Sequence, residues 1–232
     1  MAGRTARACL TMSLAPLLTA DGSYTLHHAD LAEPYHSRHG AVTESMHVFI
    51  RAGLEARGLS PVDVLEVGLG TGLNMLLTWI NCLERGRPVG YTALEPHPLD
   101  VELLSAMAHC DALAWPGLHT EFIRAMTGHA ATRHPLEGGM EFERRTTAVQ
   151  AFDVCDAFDV IYFDAFAPEK QPDMWTTAVF RRMFNALRPE GLLVTYCAKG
   201  MVRRAMQEAG FGVERLPGPP GKREMLRATR PS

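Results

Sequence analysis

The 232-residue sequence has no C-x-x-C cysteine pair, no apolar run long enough to span a bilayer, no internal repeat and no surplus of positive charge. Each absence removes a class of protein. Its five cysteines, Cys9, Cys82, Cys110, Cys155 and Cys197, are odd in number and sit on apolar segments. They fit reduced thiols of a cytoplasmic chain, not a disulfide framework or a zinc site, and no metal is expected. Without about 18 consecutive apolar residues, a membrane span is not expected. The start, "MAGRTARACLTMSLAPLL", sets arginines before an apolar run, yet Thr11, Ser13 and Pro16 interrupt it, which argues against a secretory signal. A net charge of −3 creates no field that draws in a polyanion, so any nucleic-acid contact must rest on a local basic patch. Prolines and glycines are spread among apolar segments, which excludes collagen-like and low-complexity chains. What remains is a globular protein, 47% hydrophobic, able to bury one substantial core.

Along the chain, "LLTADGSYTL" carries an Asp21-Gly22 turn signal between apolar runs and predicts a small hairpin. In "EPYHSRHGAVTESMHVFIRAGL", Val42, Met46, Phe49, Ile50 and Leu54 recur at helical spacing, so a helix begins near Ala41 to Thr43 and stops by Gly58 to Pro61. From Val62 short β-branched runs alternate with helical patterns. "DVLEV", "VGYTALE", "AFDVIYFD" and "GLLVTYC" read as strands; "NMLLTWINCLE", "LDVELLSAMAH", "WTTAVFRRMFNAL" and "MVRRAMQEAG" read as helices. The alternation predicts an α/β fold, a doubly wound, mostly parallel sheet covered on both faces. "FGVERLPGPPGKREMLRATR" adds an antiparallel edge pair, whereas residues 113–146 carry no clear pattern. Residues 1–60 are expected to form an N-terminal β/α extension over the pocket, and 61–232 the main domain.

"DVLEVGLGTGLNMLL" sets strand, glycine loop and helix in immediate succession, the context in which a glycine motif carries information. Gly68, Gly70 and Gly72 follow G-x-G-x-G, while the dinucleotide fingerprint wants its third glycine where Leu73 stands. Glu66 would set a carboxylate against a pyrophosphate at the helix N-terminus. S-adenosylmethionine has no phosphate and carries an ammonium and a sulfonium, so an acid here suits it. Glu95, ending the next strand, stands where an acid accepts from ribose hydroxyls, and Asn74 in the helix's first turn joins the candidate cofactor contacts. Together these features are the signature of a class I, Rossmann-like methyltransferase. A tight turn beside solvated acids is the plainer alternative.

"YHSRHGAVTESMHVFI", "DAFAPEKQPDMW", "TYCAKGMVRRAMQEAGF" and "GPPGKREMLRA" narrow this further. From about Tyr35 to Ala228 the chain resembles the tRNA 5-aminomethyl-2-thiouridine methyltransferase family, the methyltransferase half of the bifunctional wobble-uridine enzyme MnmC, also found as stand-alone (MnmD-type) proteins. The resemblance implies methyl transfer from S-adenosylmethionine to the exocyclic amine of that uridine in the tRNA anticodon. A separate FAD-dependent oxidase domain makes the amine in bifunctional relatives. The sequence ends at Ser232, so the expectation is the methyltransferase step alone, no flavin, and another enzyme supplying the amine. An acid near the adenine has no clear equivalent in "RRTTAVQAFDV", with Asp153 the stand-in.

Asp164 ends the apolar strand "DVIYF" on the sheet edge that carries the glycine loop, and ligands of open α/β sheets gather beyond such ends. A carboxylate there can orient an alkylamine and take its proton, which makes Asp164 the candidate catalytic residue as well as a cofactor contact; capping the next turn is the alternative. Candidate substrate contacts are Tyr35, Ser37, Glu44, Phe166, Lys199, Lys222 and Arg223. The histidines of "YHSRHG" read as surface residues, Trp175 as a core anchor, and Arg181, Arg182, Arg203 and Arg204 as basic clusters for tRNA or as solvated helix charges. The rival functions are a small-molecule amine methyltransferase, a noncatalytic S-adenosylmethionine-binding scaffold and, disfavoured by Glu66 and Leu73, an NAD oxidoreductase.

Overall fold

A computed structural model describes residues 14–29, 32–58 and 60–232. The arginine-led start and Cys9 lie outside the described residues. Strands β1 (Leu14–Leu18) and β2 (Tyr24–His28) form the expected hairpin around Asp21-Gly22, and β3 (Glu33–Pro34) completes a three-stranded antiparallel sheet. Helix α1 (Ala41–Ser45) continues without a break into a π-helix (Met46–Glu55). There follow β4 (Val62–Val67), α2 (Leu73–Arg85), β5 (Val89–Leu94), α3 (Val101–Ala106), α4 (His109–Ala112) and α5 (His119–Thr127). Next come β6 (Arg133–Leu136), β7 (Met140–Arg145), β8 (Phe158–Phe163), α6 (Thr177–Ala186), β9 (Leu187–Thr195), α7 (Gly200–Ala209), β10 (Gly212–Pro217) and β11 (Glu224–Thr229).

The second sheet has the order β10-β11-β9-β8-β4-β5-β7-β6. Its five central strands, from β9 through β8, β4 and β5 to β7, are parallel. β11 and β10 pair antiparallel at one edge, as expected of the tail, and β6 does so at the other. The unread segment therefore holds a parallel strand, β7, and its antiparallel neighbour. All six residues of β8 are buried, as in a strand covered on both faces.

Strand pleating sorts the core into two layers. Val64, Val160, Tyr162 and Val194 face α2 and the π-helix, whereas Leu65, Ile161, Phe163 and Leu193 face α6 and α7. Helix α2 is buried from Leu73 through Cys82 and is held at its far end by Trp79, whose indole N–H donates to the Glu137 carbonyl at 2.9 Å. At the amino ends of the strands, Arg188 of β9 donates to Asp63 of β4 at 2.8 Å and to buried Asp159 of β8 at 2.7 Å.

The chain runs outward from β4 through β5 to β7, then returns across β4 to β8 and β9, so the direction reverses between β4 and β8. That is where a crevice opens in such sheets. Here the Asp164 N–H donates to the Val67 carbonyl at 3.0 Å and the Gly68 N–H to the Leu94 carbonyl at 3.1 Å, so the ladder continues into the loops. Gly68 has φ +91°, and a Cβ on it would stand 2.5 Å from the Asp164 carbonyl oxygen. Gly68→Ala is therefore expected to lose about 1–3 kcal/mol of stability from backbone conformation alone, with the clash in addition. Urea denaturation reads this; an unshifted midpoint would show that the two strand ends tolerate separation.

Candidate functional site

A cavity of about 500 Å³ opens beyond the carboxyl ends of β4, β5 and β8. Its floor is the turn Gly68–Leu69–Gly70, one wall is Leu94 and Glu95 with Ala148, Val149 and Gln150, and the opposite wall is Asp164 to Phe166. Residues of the 33–44 segment roof it, and Tyr196 and Lys222 close the end near Asp164.

Glu95 is tied to the turn: Oε2 accepts the Gly70 N–H at 3.0 Å and Oε1 the His97 N–H at 2.9 Å. Each oxygen keeps a lone pair for a ligand hydroxyl, and the spacing of a carboxylate's oxygens matches a vicinal diol. Gly70 has φ +49° and lies under the Tyr35 ring, 2.9 Å from where its Cβ would stand. Tyr35 meets Phe166 edge to face at 4.8 Å, and the two rings make an aromatic corner. Trp175 is a core anchor, as expected: it is buried against Phe163 at 5.1 Å, and its N–H donates to the Phe166 carbonyl at 2.8 Å, which fixes the loop after β8.

Asp164 Oδ2 accepts from the Asn74 amide at 2.9 Å, and the same Nδ2 donates to Glu66 Oε1 at 2.9 Å. Tyr91 donates to Glu66 Oε2 at 2.7 Å. Burial, with the Glu44 carboxylate second, pushes the Asp164 carboxyl up to about 7; the Asn74 amide and the Lys222 ammonium pull the other way. Burial holds Glu66 well above the ordinary carboxylate range despite its two donors. Glu44 is 5% exposed, accepts the Ser37 N–H at 2.7 Å and pairs with Lys222 Nζ at 2.5 Å. That Nζ also lies 3.9 Å from the centre of the Tyr196 ring, whose hydroxyl donates to the Ala165 carbonyl at 2.9 Å.

Of the residues singled out in the sequence, Gly68, Gly70, Glu95, Asp164, Tyr35, Ser37, Glu44, Phe166 and Lys222 all line this one cavity. Five do not. Glu66 is fully buried on the pleat that faces α2, so it touches Asn74 and Tyr91 instead of the cavity. Asn74 is 2% exposed and sits between the two acids. Gly72 faces Met126 and Phe122 as the residue before α2. Lys199 pairs with Glu169, and Arg223 is exposed beside the cavity's Lys222. Asp153 is also displaced: its side chain is 79% exposed and pairs with Arg182 at 3.7 Å, while the shelf opposite Glu95 is Ala148 to Gln150. Arg181 and Arg182 donate to the Glu208 and Phe152 carbonyls, so that basic cluster serves the fold.

Sequence reasoning missed Tyr196, His28, His36 and Glu33 as cavity residues. Tyr196 directly follows β9, and the rule that led to Asp164 at the end of β8 would also have found it. The donor set fits an adenosyl sulfonium cofactor: it offers a carboxylate for a diol, an apolar shelf for a flat ring, and acids where a phosphate would be repelled.

Residues 140–231 match a family model described as S-adenosyl-L-methionine-dependent methyltransferase. The chain is 34% identical over 215 residues to the tRNA 5-methylaminomethyl-2-thiouridine biosynthesis bifunctional protein MnmC of Pseudomonas aeruginosa, covering 84% of this chain and 32% of that protein. Against its namesake from Burkholderia multivorans the values are 35% over 211 residues, 83% and 31%. The chain thus spans about a third of the length of the curated relatives it matches. Among solved structures, the fold is similar to MnmC2 from Aquifex aeolicus, with TM-score 0.73, 22% identity and coverage of 96% and 72% of the two chains. It is also similar to spermidine synthase from Thermotoga maritima, with TM-score 0.52, 14% identity and coverage of 90% and 70%. The switch-point cavity and glycine turn thus accompany a match of residues 140–231 to S-adenosyl-L-methionine-dependent methyltransferases and a sequence shared with about a third of MnmC.

Proposed function

We propose that the protein transfers a methyl group from S-adenosylmethionine to the exocyclic amine of 5-aminomethyl-2-thiouridine at the tRNA wobble position, giving 5-methylaminomethyl-2-thiouridine. One observation carries the reading: a desolvated carboxylate, Asp164, held by Asn74 at the cavity wall with its proton affinity near neutrality. The relatives named for biosynthesis of this nucleoside support the choice of acceptor.

In this reading Glu95 holds the ribose hydroxyls, Gly68 and Gly70 let the cofactor approach the main chain, and Val149 supports the adenine. S-adenosylmethionine supplies an electrophilic methyl on a good leaving group, so the protein's task is to present a neutral amine in line. Asp164 accepts one hydrogen of the incoming amine, orients its lone pair and takes the proton it loses. Glu66 accepts from Tyr91 and Asn74 and holds the Asn74 amide on Asp164. The corner of Tyr35 and Phe166 offers aromatic faces and edges to a base turned out of the anticodon loop. In-line positioning is worth as much as roughly 7–11 kcal/mol and proton transfer ~10² to 10⁴ in rate, so positioning is the larger share.

A small amine acceptor is the second reading. Two observations favour it: the net charge of −3 and the engagement of Arg181 and Arg182 with backbone carbonyls. Labelled cofactor offered to tRNA lacking this methyl decides between the two. Label in the anticodon nucleoside is expected; label only in metabolite amines would overturn the tRNA assignment.

The proton chemistry has a definite sign. Asp164 acts when ionised and its carboxyl sits near 7, so kcat/KM is expected to fall tenfold per pH unit below about 7 and to flatten above it. Asp164→Asn should remove that acid limb and lower turnover by ~10² to 10⁴, with cofactor affinity nearly unchanged by calorimetry. A retained limb would assign it to another group.

Glu44 and Lys222 push Asp164 in opposite directions. Glu44→Gln should move the limb to lower pH and Lys222→Met to higher pH, each by up to about one unit. Shifts of the same sign would show that the pair does not set the proton affinity.

A further inference from the structure

His36, read as a surface residue in the sequence, is 8% exposed and forms part of the cavity wall. Its contacts define which nitrogen carries the ring proton. Thr25 Oγ1 accepts the His36 backbone N–H at 2.9 Å and lies 3.2 Å from His36 Nδ1. Thr25 is fully buried in β2, and a hydroxyl has one proton to give. Among the described residues, the acceptor in reach of that proton is Nδ1. The opposite arrangement, Nδ1–H donating to Oγ1, would leave a buried hydroxyl proton unpaired. Nδ1 is therefore the acceptor and Nε2 carries the hydrogen. With Nδ1 held by Thr25, Nε2 is the ring nitrogen left for a ligand of the cavity that His36 lines, and no hydrogen bond to it is made among the described residues.

Burial drives the imidazole's proton affinity down to about 4, so the ring is neutral at physiological pH. The nearby charges are engaged with one another: Glu44 accepts from Ser37 and Lys222. A neutral N–H offers nothing to an ammonium, and with Glu95 and Asp164 lining the same cavity against an anion it suits a carbonyl or thiocarbonyl of a flat ring. The Tyr35–Phe166 corner on the same wall is the kind of surface such a ring packs against.

We propose that His36 is a specificity-determining residue whose Nε2–H, the ring donor not engaged by Thr25, is given to a ring carbonyl or thiocarbonyl of the methyl-accepting pyrimidine. This rests on the tRNA reading given above. It also sets that reading apart from a simple alkylamine acceptor, which has no such atom to offer.

Steady-state methyl transfer to tRNA, with His36→Phe and His36→Gln beside the wild type, tests it. His36→Phe keeps a flat ring without the donor; the expected result is a rise of about 3- to 10-fold in KM for tRNA, the value of one neutral hydrogen bond. Turnover and cofactor affinity should stay within about twofold, below the value of one hydrogen bond. His36→Gln, whose amide reaches the place of Nε2, should recover most of the loss. An unchanged KM, or an equal loss of cofactor affinity, would overturn the assignment. Nitrogen-15 NMR of the wild-type imidazole is the check that does not depend on a variant folding: the hydrogen should be on Nε2, and finding it on Nδ1 overturns the inference. An active wild type with unaltered His36→Phe kinetics rejects His36 alone. A wild type that binds cofactor and never labels tRNA rejects the functional reading instead.

Discussion

The whole arrangement depends on how closely two neighbouring strands end. Val67 and Phe163 are paired in register, and the main chains that follow them, Gly68 and Asp164, touch at a separation that a single Cβ would violate. One loop turns away to start α2 and the other turns up into the loop anchored by Trp175. The crevice between them is the cavity, and Asp164 is at its wall because its backbone is pinned to Val67. Asn74, two residues into α2, then reaches back to the Asp164 carboxylate, so the helix that follows the first strand orients the acid that follows the second.

Charge is arranged with the same economy. Of the carboxylates in or behind this cavity, Glu66, Glu95, Glu44 and Asp164 are each handled differently. Glu66 is buried against Tyr91 and Asn74, and burial raises its proton affinity; Glu95 faces backbone N–H groups; Glu44 is matched by Lys222. Asp164 is desolvated with the Glu44 carboxylate nearby, and the single Asn74 amide only partly offsets them, which keeps its proton affinity near neutrality. Environment alone separates the roles of groups whose model-peptide pKa values lie within about half a unit of one another.

The fold was legible where its signals are contiguous. β4, the glycine turn and α2 run without interruption, and the alternation that follows predicts the parallel sheet. β7 was not legible, since in Met140–Arg145 the buried Glu143 and Arg144 break the apolar pattern. They are tolerated because Glu143 pairs with Arg145 beside it and with Arg133 of β6, and Arg144 donates to the Gly128 carbonyl, the last two being contacts outside the strand. At the site, Glu66 was placed by its distance from the first glycine, but pleat parity decides its direction, and parity sends it toward α2. Lys199 and Arg223 were placed by motif membership, and motif membership says nothing of a partner such as Glu169. The N-terminal segment was expected over the pocket, but no local signal separates a histidine turned into that cover from one on its surface, so the burial of His36 was not legible.

That roof explains the chemistry the sheet alone would not supply. A carboxylate at an open strand end is hydrated and titrates at roughly 4, ionised throughout the neutral range and a weak proton acceptor. Covering it with the 33–44 segment and the turn that bears Lys222 removes water and brings Glu44 close, and both effects raise its affinity for a proton. The contacts that close the cavity, Tyr35 on Phe166 and Glu44 on Lys222, are therefore also contacts that enclose Asp164, the base of the proposed reaction. In the proposed reaction binding and proton transfer share one structural cause, since the N-terminal segment excludes solvent from a side chain it does not itself carry.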